Sequence, residues 1–197
     1  MIRSHSSILA SAACLLAALG GSAAAADPTP PPPPAAAAPA AGPSDTPDAT
    51  LLTAGTPAPN IKATAHNGDK VELAKLKGQY VVLYFYPKDD TPGCTKQACD
   101  IRDNWSKLQK AGVKVFGVST QDNGSHQAFA AKHTLPFPLL PDDKGEIAHA
   151  FGVPVVGGKA RRVSFLIDKD GKIKHVWPKA QTTGHAAEIL AEIPAAS

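Results

Sequence analysis

The stretch "QYVVLYFY", Gln79 to Tyr86, carries no charge and is almost wholly β-branched and aromatic. Such a run fits a strand buried on both faces, and that strand requires packed layers above and below it. Pro87 ends it, since proline has no N–H to continue a ladder. "VKVFGVST" (Val113 to Thr120) reads as a second strand and "RRVSFLID" (Arg161 to Asp168) as a third. The turn "DKDGK" then leads into a short strand, "IKHVW". Helical patterns lie between the strands at Thr91 to Ala111, Asn123 to His133 and around Glu146 to Phe151, with another at Gly184 to Ile193. Strands alternating with helices, plus a terminal hairpin, predict an α/β fold with a central mixed β-sheet flanked by helices.

This domain occupies residues 51–197, and the residues before it are of a different kind. Residues 1–26 carry Arg3, an apolar run from Ile8 to Leu19, and the small residues of "GGSAAAAD". That is the pattern of a secretory signal peptide cleaved near Ala26, and it implies export, in a bacterium to the periplasm. The apolar run is roughly a dozen residues, short of the about 20 that a membrane-spanning helix needs. Residues 27–50, "DPTPPPPPAAAAPAAGPSDTPDAT", read as a Pro/Ala-rich spacer of extended polyproline character. The formal charge of +3 falls to +2 once Arg3 is removed, and the 20 basic residues are dispersed among 17 acidic ones. Nothing in that balance points to nucleic acid.

The chain has three cysteines. Cys14 sits in the apolar run and leaves with it, unless it anchors a lipid, for which "SAAC" lacks the usual aliphatic residue. The other two lie in "TPGCTKQACD". Thr91 suits an N-cap, Pro92 the first helical position, and Gly112 a stop, so Cys94 falls in the first turn of a helix. Apolar residues at Ala98, Ile101, Trp105 and Leu108 continue its stripe, which turns Cys94 inward. The positive end of the helix and its unpaired N–H groups would stabilise a thiolate there. Cys99 falls about 140° round the helix, on the polar face. Positions i and i+5 of an intact helix are roughly 8 Å apart at Cα, beyond the about 7 Å limit for a disulfide. A static bridge is therefore disfavoured, whereas a reversible one that unwinds the first turns fits the spacing.

"YFYPKDDTPGCTKQACDIRDNW", with its Pro87-x-x-x-Thr91-x-x-Cys94 spacing, resembles the active-site segment of the peroxiredoxins, and Cys99 resembles the second cysteine of the bacterioferritin comigratory protein, or peroxiredoxin Q, branch. The likeness continues through "VFGVSTQDNGSHQAFAAKHTLPFPLLPDDKGEIAHAFGV" and "RVSFLIDKDGKIKHVW", nearly all of Ala54 to Ile193. The resemblance implies a thioredoxin-like fold and a thiol-dependent peroxidase that reduces hydrogen peroxide and organic hydroperoxides without metal or organic cofactor. It implies that Cys94 is the peroxidatic cysteine and Cys99 the resolving one, joined in a redox disulfide that a thioredoxin-like reductant opens. It further implies that Thr91 orients the peroxide, that Pro87 and Pro92 shape the pocket, and that an arginine stands beside the sulfur. Arg162 is the expected arginine and Arg161 the competitor, since alternation along a strand sends them to opposite faces. An intramolecular bridge needs no second subunit, so a monomer is expected.

Other readings compete at single positions. Among the seven histidines, His126 and His133 lie seven apart and can share a helix face, but no histidine has a metal-ligand spacing, and surface or capping roles are expected. Tyr84 or Phe85 could line the pocket at the strand end, and Trp105 and Trp177 read as core. A Sco-like copper-binding protein would carry Cys-x3-Cys and a thiol–disulfide oxidoreductase Cys-x2-Cys. The four-residue gap between Cys94 and Cys99 matches neither.

Overall fold

The computed structural model describes residues 51–194. The signal peptide with Ala26 and Cys14, and the Pro/Ala spacer, lie outside the described residues.

A five-stranded sheet forms the centre. Its strands are β3 (Tyr80–Phe85), β4 (Val113–Ser119), β5 (Leu139–Pro141), β8 (Val163–Ile167) and β9 (Ile173–Trp177), in the order β5-β4-β3-β8-β9. β3 pairs in parallel with β4, and β4 with β5, while β8 runs antiparallel to both β3 and β9. The sheet is therefore mixed, and the uncharged run lies at its middle, as a strand buried on both faces requires. The parallel pairs are bridged by α1 (Pro92–Asp103) with α2 (Trp105–Lys110), and by α3 (Asn123–His133). Two short hairpins, β1–β2 (Lys62–Thr64, Lys70–Glu72) and β6–β7 (Val155–Val156, Lys159–Ala160), complete the strands.

Alternation along β3 divides the core in two. Val81, Leu83 and Phe85 point to one face and pack with Phe116, Phe165, Phe151 and the residues of α4 (Glu146–Ala150). Val82, Tyr84 and Tyr86 point to the other, where Cys94, Ala98 and Ile101 of α1, Leu108 of α2, Phe129 of α3, and Ala186 and Ile189 of α5 (His185–Ala191) cover them. The cysteine-bearing segment therefore enters at the C-terminal end of the central strand, under the second face. Gly117 of β4 pairs with Tyr84, and a Cβ built on it would lie 2.7 Å from the Tyr84 hydroxyl and from Leu139 Cδ2. Glycine there lets the Tyr84 ring lie flat across the neighbouring strand.

The long helix expected from Thr91 to Ala111 is broken at Asn104, where φ/ψ of −101°/10° separates α1 from α2. The Asn104 side chain donates to the Asp100 carbonyl at 3.0 Å and thereby competes with the helical ladder. The expected helix at Asn123 to His133 has those bounds. Asp122 caps it, accepting from Ser125 N–H at 2.8 Å. The third expected strand begins at Val163, not Arg161, because β3 pairs with Val163 to Ile167. Among the described residues no helix is long and apolar enough to cross a membrane.

Candidate active site

Pro87 stops β3, and the chain then passes through Lys88–Asp90 into α1. Thr91 has the extended backbone of an N-cap, but its hydroxyl does not cap the helix. Instead it donates to the Lys88 carbonyl at 3.0 Å, which leaves its oxygen lone pairs open as acceptors. Pro92 takes the first helical position and is exposed, whereas Pro87 is half-buried. The first intrahelical bond runs from Thr95 N–H to the Thr91 carbonyl. The N–H groups of Gly93 and Cys94 precede it and have no partner within the helix.

Cys94 is 2% exposed, on the inward stripe its spacing indicates. Of the two candidate arginines it is Arg162 that reaches it: Nη2 donates to Cys94 Sγ at 3.2 Å, and Nη1 donates to Gln97 Oε1 at 2.5 Å. A guanidinium fork is rigid, so a second partner on Nη1 fixes the aim of Nη2. Gly93 allows the close approach, since a Cβ there would stand 3.3 Å from Nη2. The result is a half-buried cation against a sulfur in the first turn of a helix, an arrangement that stabilises negative charge on it and on an oxygen bound to it.

Gln97 is a site residue that sequence reasoning missed. It is fully buried, one turn beyond Cys94, and periodicity had no apolar side chain to register there. Its Nε2 and the Tyr84 hydroxyl are buried without hydrogen-bond partners. Burial raises the Tyr84 pKa well above the usual phenol value, with a smaller upward push from the neighbouring Cys94, so the hydroxyl stays protonated. Phe85, the other residue considered for the pocket, faces the opposite core against Phe151 and Phe165.

Cys99 is half-buried, not fully exposed as the polar face of the helix suggested, and both cysteines are free thiols. It neighbours Arg102, whose pKa is held up by its hydrogen bond to Asp103 and further by the Cys99 sulfur. Arg102 also donates to the His133 carbonyl at 2.7 Å.

The histidines expected at the surface prove structural in a different way. His126 is fully buried, with Nδ1 2.8 Å from Asp89 Oδ2 and Nε2 3.3 Å from the Leu140 carbonyl oxygen. Asp89 also accepts from the Tyr86 hydroxyl at 2.7 Å and from the Ser125 hydroxyl at 2.6 Å. Burial alone would raise the Asp89 pKa, but the bonds from His126, Ser125 and Tyr86 outweigh it and leave the carboxyl below its usual range. Two turns along α3, His133 Nε2 lies 2.9 Å from Asp90 Oδ1. The two histidines do share a face, and each grips one aspartate of the loop that presents Cys94. A cavity of about 1000 Å³ lined by Thr120, Asp143, His149 and Val155 includes none of these residues.

Comparisons with known proteins place the fold in a family. Residues 54–176 match the model of the AhpC/TSA family. A putative peroxiredoxin Bcp of Coxiella burnetii is 45% identical over 149 residues, covering 72% of this chain and 99% of its own. Peroxiredoxin Bcp of Escherichia coli strain K12 is 44% identical over 146 residues, covering 71% of this chain and 94% of its own. Among solved structures, peroxidoxin BcpB of Mycobacterium tuberculosis superposes with a TM-score of 0.67 at 31% identity, over 72% of this chain and 96% of that one. With a cysteine facing an arginine at a helix start on a thioredoxin-like sheet, the chain belongs to the AhpC/TSA family, in its Bcp and peroxiredoxin Q branch, and is a thiol-dependent peroxidase.

Proposed function

We propose that Cys94 is the peroxidatic nucleophile and Cys99 the resolving thiol of a two-cysteine cycle. The observation that carries the reading is the Arg162 Nη2 contact to Cys94 Sγ at 3.2 Å. In the first step the Cys94 thiolate attacks one oxygen of the hydroperoxide. The S–O bond forms as the O–O bond breaks, and the departing oxygen takes a proton to leave as water or alcohol. Arg162 stands where the negative charge develops, and the Thr91 oxygen is free to accept the hydroperoxide O–H. In the second step the Cys99 sulfur attacks the sulfenic sulfur, and a disulfide and water form. A dithiol protein of thioredoxin type then supplies two electrons and two protons to restore both thiols.

The bacterioferritin comigratory protein of Xanthomonas campestris, whose structure matches at 32% identity and a TM-score of 0.65, has alkyl peroxide reduction activity. We extend that substrate class, with hydrogen peroxide, to this chain. The apolar N-terminal run supports an exported enzyme, cleaved near Ala26 and acting in the periplasm. An intramolecular bridge makes a monomer sufficient.

Stopped-flow mixing of the reduced protein with hydrogen peroxide tests the roles. Cys94→Ser is expected to abolish peroxide consumption, and Cys99→Ser to keep one rapid oxidation while losing turnover with a dithiol. Full activity in Cys94→Ser would defeat the assignment. Mass analysis of the mature N-terminus tests export, and sedimentation of the reduced protein tests the monomer.

A further inference from the structure

The segment that must unwind for Cys99 to reach Cys94 is bracketed by two carboxylates. Upstream, Asp89 is 6% exposed and holds the hydroxyls of Tyr86 and Ser125 and the ring of His126. Asp90 beside it is paired with His133 and with Lys132, whose Nζ is 3.1 Å away. Downstream, Asp100 directly follows Cys99. Its Oδ1 accepts from Gly184 N–H at 2.9 Å and its Oδ2 from Ala186 N–H at 2.8 Å, so both oxygens are committed to the start of α5. Its carbonyl accepts from the Asn104 backbone N–H at 3.2 Å and from the Asn104 side chain at 3.0 Å. Ile101, the next residue, is fully buried.

Between the brackets the Arg162 fork holds the segment through Cys94 and Gln97. Peroxide oxidation changes one of those contacts and none of the brackets. It replaces the sulfur anion by a neutral sulfenic acid, and a hydrogen bond from a cation to a neutral acceptor is weaker than one to an anion. The carboxylate bonds at Asp89 and Asp100 keep their charge.

We infer that Asp100 is the positioning residue that stops the unwinding at Cys99: the chain opens between Thr91 and Cys99, while Asp100 stays pinned to α5 and Asp89 to α3. This rests on the Cys94–Cys99 reading above. A fixed downstream end keeps Cys99 within reach of a sulfenic acid, and the about 8 Å Cα separation of an intact helix then shrinks by local rearrangement of one or two turns.

Hydrogen exchange on the full-length protein, reduced and after one equivalent of hydrogen peroxide, tests it, with the disulfide mapped by mass spectrometry in the same sample. In the wild type, oxidation is expected to expose the amides of Thr95 to Asp103, whose helical acceptors are the carbonyls of the opened Thr91 to Cys99 stretch, and to leave those of Gly184, Ala186 and Asn104 protected. In oxidised Asp100→Ala, the Asn104 amide, which donates to the Asp100 carbonyl, is expected to exchange at least about tenfold faster than in the oxidised wild type, the scale of one lost charge-assisted bond. Asp100→Asn, which keeps one acceptor oxygen, is expected to fall between. The rate of sulfenic acid formation stays within about twofold, because neither variant touches the Arg162 fork. Release of Gly184 and Ala186 on oxidation of the wild type, or an unchanged boundary in Asp100→Ala, overturns the inference alone. A wild type that forms no Cys94–Cys99 bond overturns the reading of the site. Should Asp100→Ala fail to fold, the wild-type comparison still decides.

Discussion

Replacing Arg162 by methionine keeps most of the aliphatic stem and removes the fork. Two donated bonds disappear, one to Cys94 Sγ at 3.2 Å and one to Gln97 Oε1. The kinetic loss follows from the first. A donor aimed at charge that develops in the transition state contributes about 2.7–4 kcal/mol when it is removed from a water-poor site, a factor of about 10²–10³. Cys94 is 2% exposed, so water cannot replace the cation without opening the site. The structural loss follows from the second, because Gln97 is fully buried with Nε2 already unpartnered, and the substitution orphans its oxygen as well. An unsatisfied buried acceptor costs about 1–3 kcal/mol. Arg162→Met is therefore expected to remain folded by circular dichroism, to unfold at lower urea concentration, and to form sulfenic acid about 10²–10³ times more slowly at saturating reductant. Arg162→Lys keeps the charge but cannot span sulfur and amide together, and is expected to lose about tenfold. Arg161→Met serves as the control and is expected to react at nearly the wild-type rate. A folded Arg162→Met within threefold of the wild type, by stopped flow under pseudo-first-order peroxide, would refute the placing of the cation in the reaction, roughly a 0.7 kcal/mol effect where several are required.

Gly117→Ala would force a methyl group to 2.7 Å from the Tyr84 hydroxyl and from Leu139, and it is expected to destabilise by about 1–3 kcal/mol in urea denaturation. Tyr84→Phe removes the buried unpartnered hydroxyl and should recover part of that loss in the double variant; strict additivity of the two would mean that the added methyl and the hydroxyl do not meet there. Stability should fall as pH drops below neutrality. His185 is fully buried, its Nδ1 2.9 Å from Glu188 and its Nε2 2.9 Å from the Ser164 hydroxyl, and Trp177 packs edge-on against it. Burial lowers its pKa, helped slightly by Arg162, against the opposing pull of Glu188 and Asp100. His66 is lowered by burial in the same direction. Below the ordinary histidine value of 6.5 the unfolded chain therefore binds protons that the folded one refuses, and the buried His185 removes up to about 1.4 kcal/mol per pH unit until its folded pKa is reached, with a smaller, solvent-screened share from the half-buried His66. A urea midpoint that rises between pH 7 and pH 5.5 would contradict this, and His185→Gln should flatten the fall.

Local pattern determined much of this molecule. An uncharged run of β-branched and aromatic residues has few places to go but the middle of a sheet, and β3 lies there between β4 and β8. The bounds of α3, the inward turn of Cys94 and the hairpin of β8 and β9 are likewise set by residues near one another in sequence, through 3.6-residue periodicity, caps and turn chemistry. The two- and three-residue strands were illegible, since β5 is recognisable only by its pairing with Gly117 to Ser119. The tertiary structure alone decided how the site is assembled. Alternation separated Arg161 from Arg162, but only the antiparallel seating of β8 beside β3 brings one of them across 68 residues to Cys94. The burial of Gln97 and His126, and the ties of Asp89 to α3 and Asp100 to α5, follow from contacts 37 to 86 residues apart. A polar side chain carries no periodic signature of its partner. Its role is written in whatever the fold places opposite it.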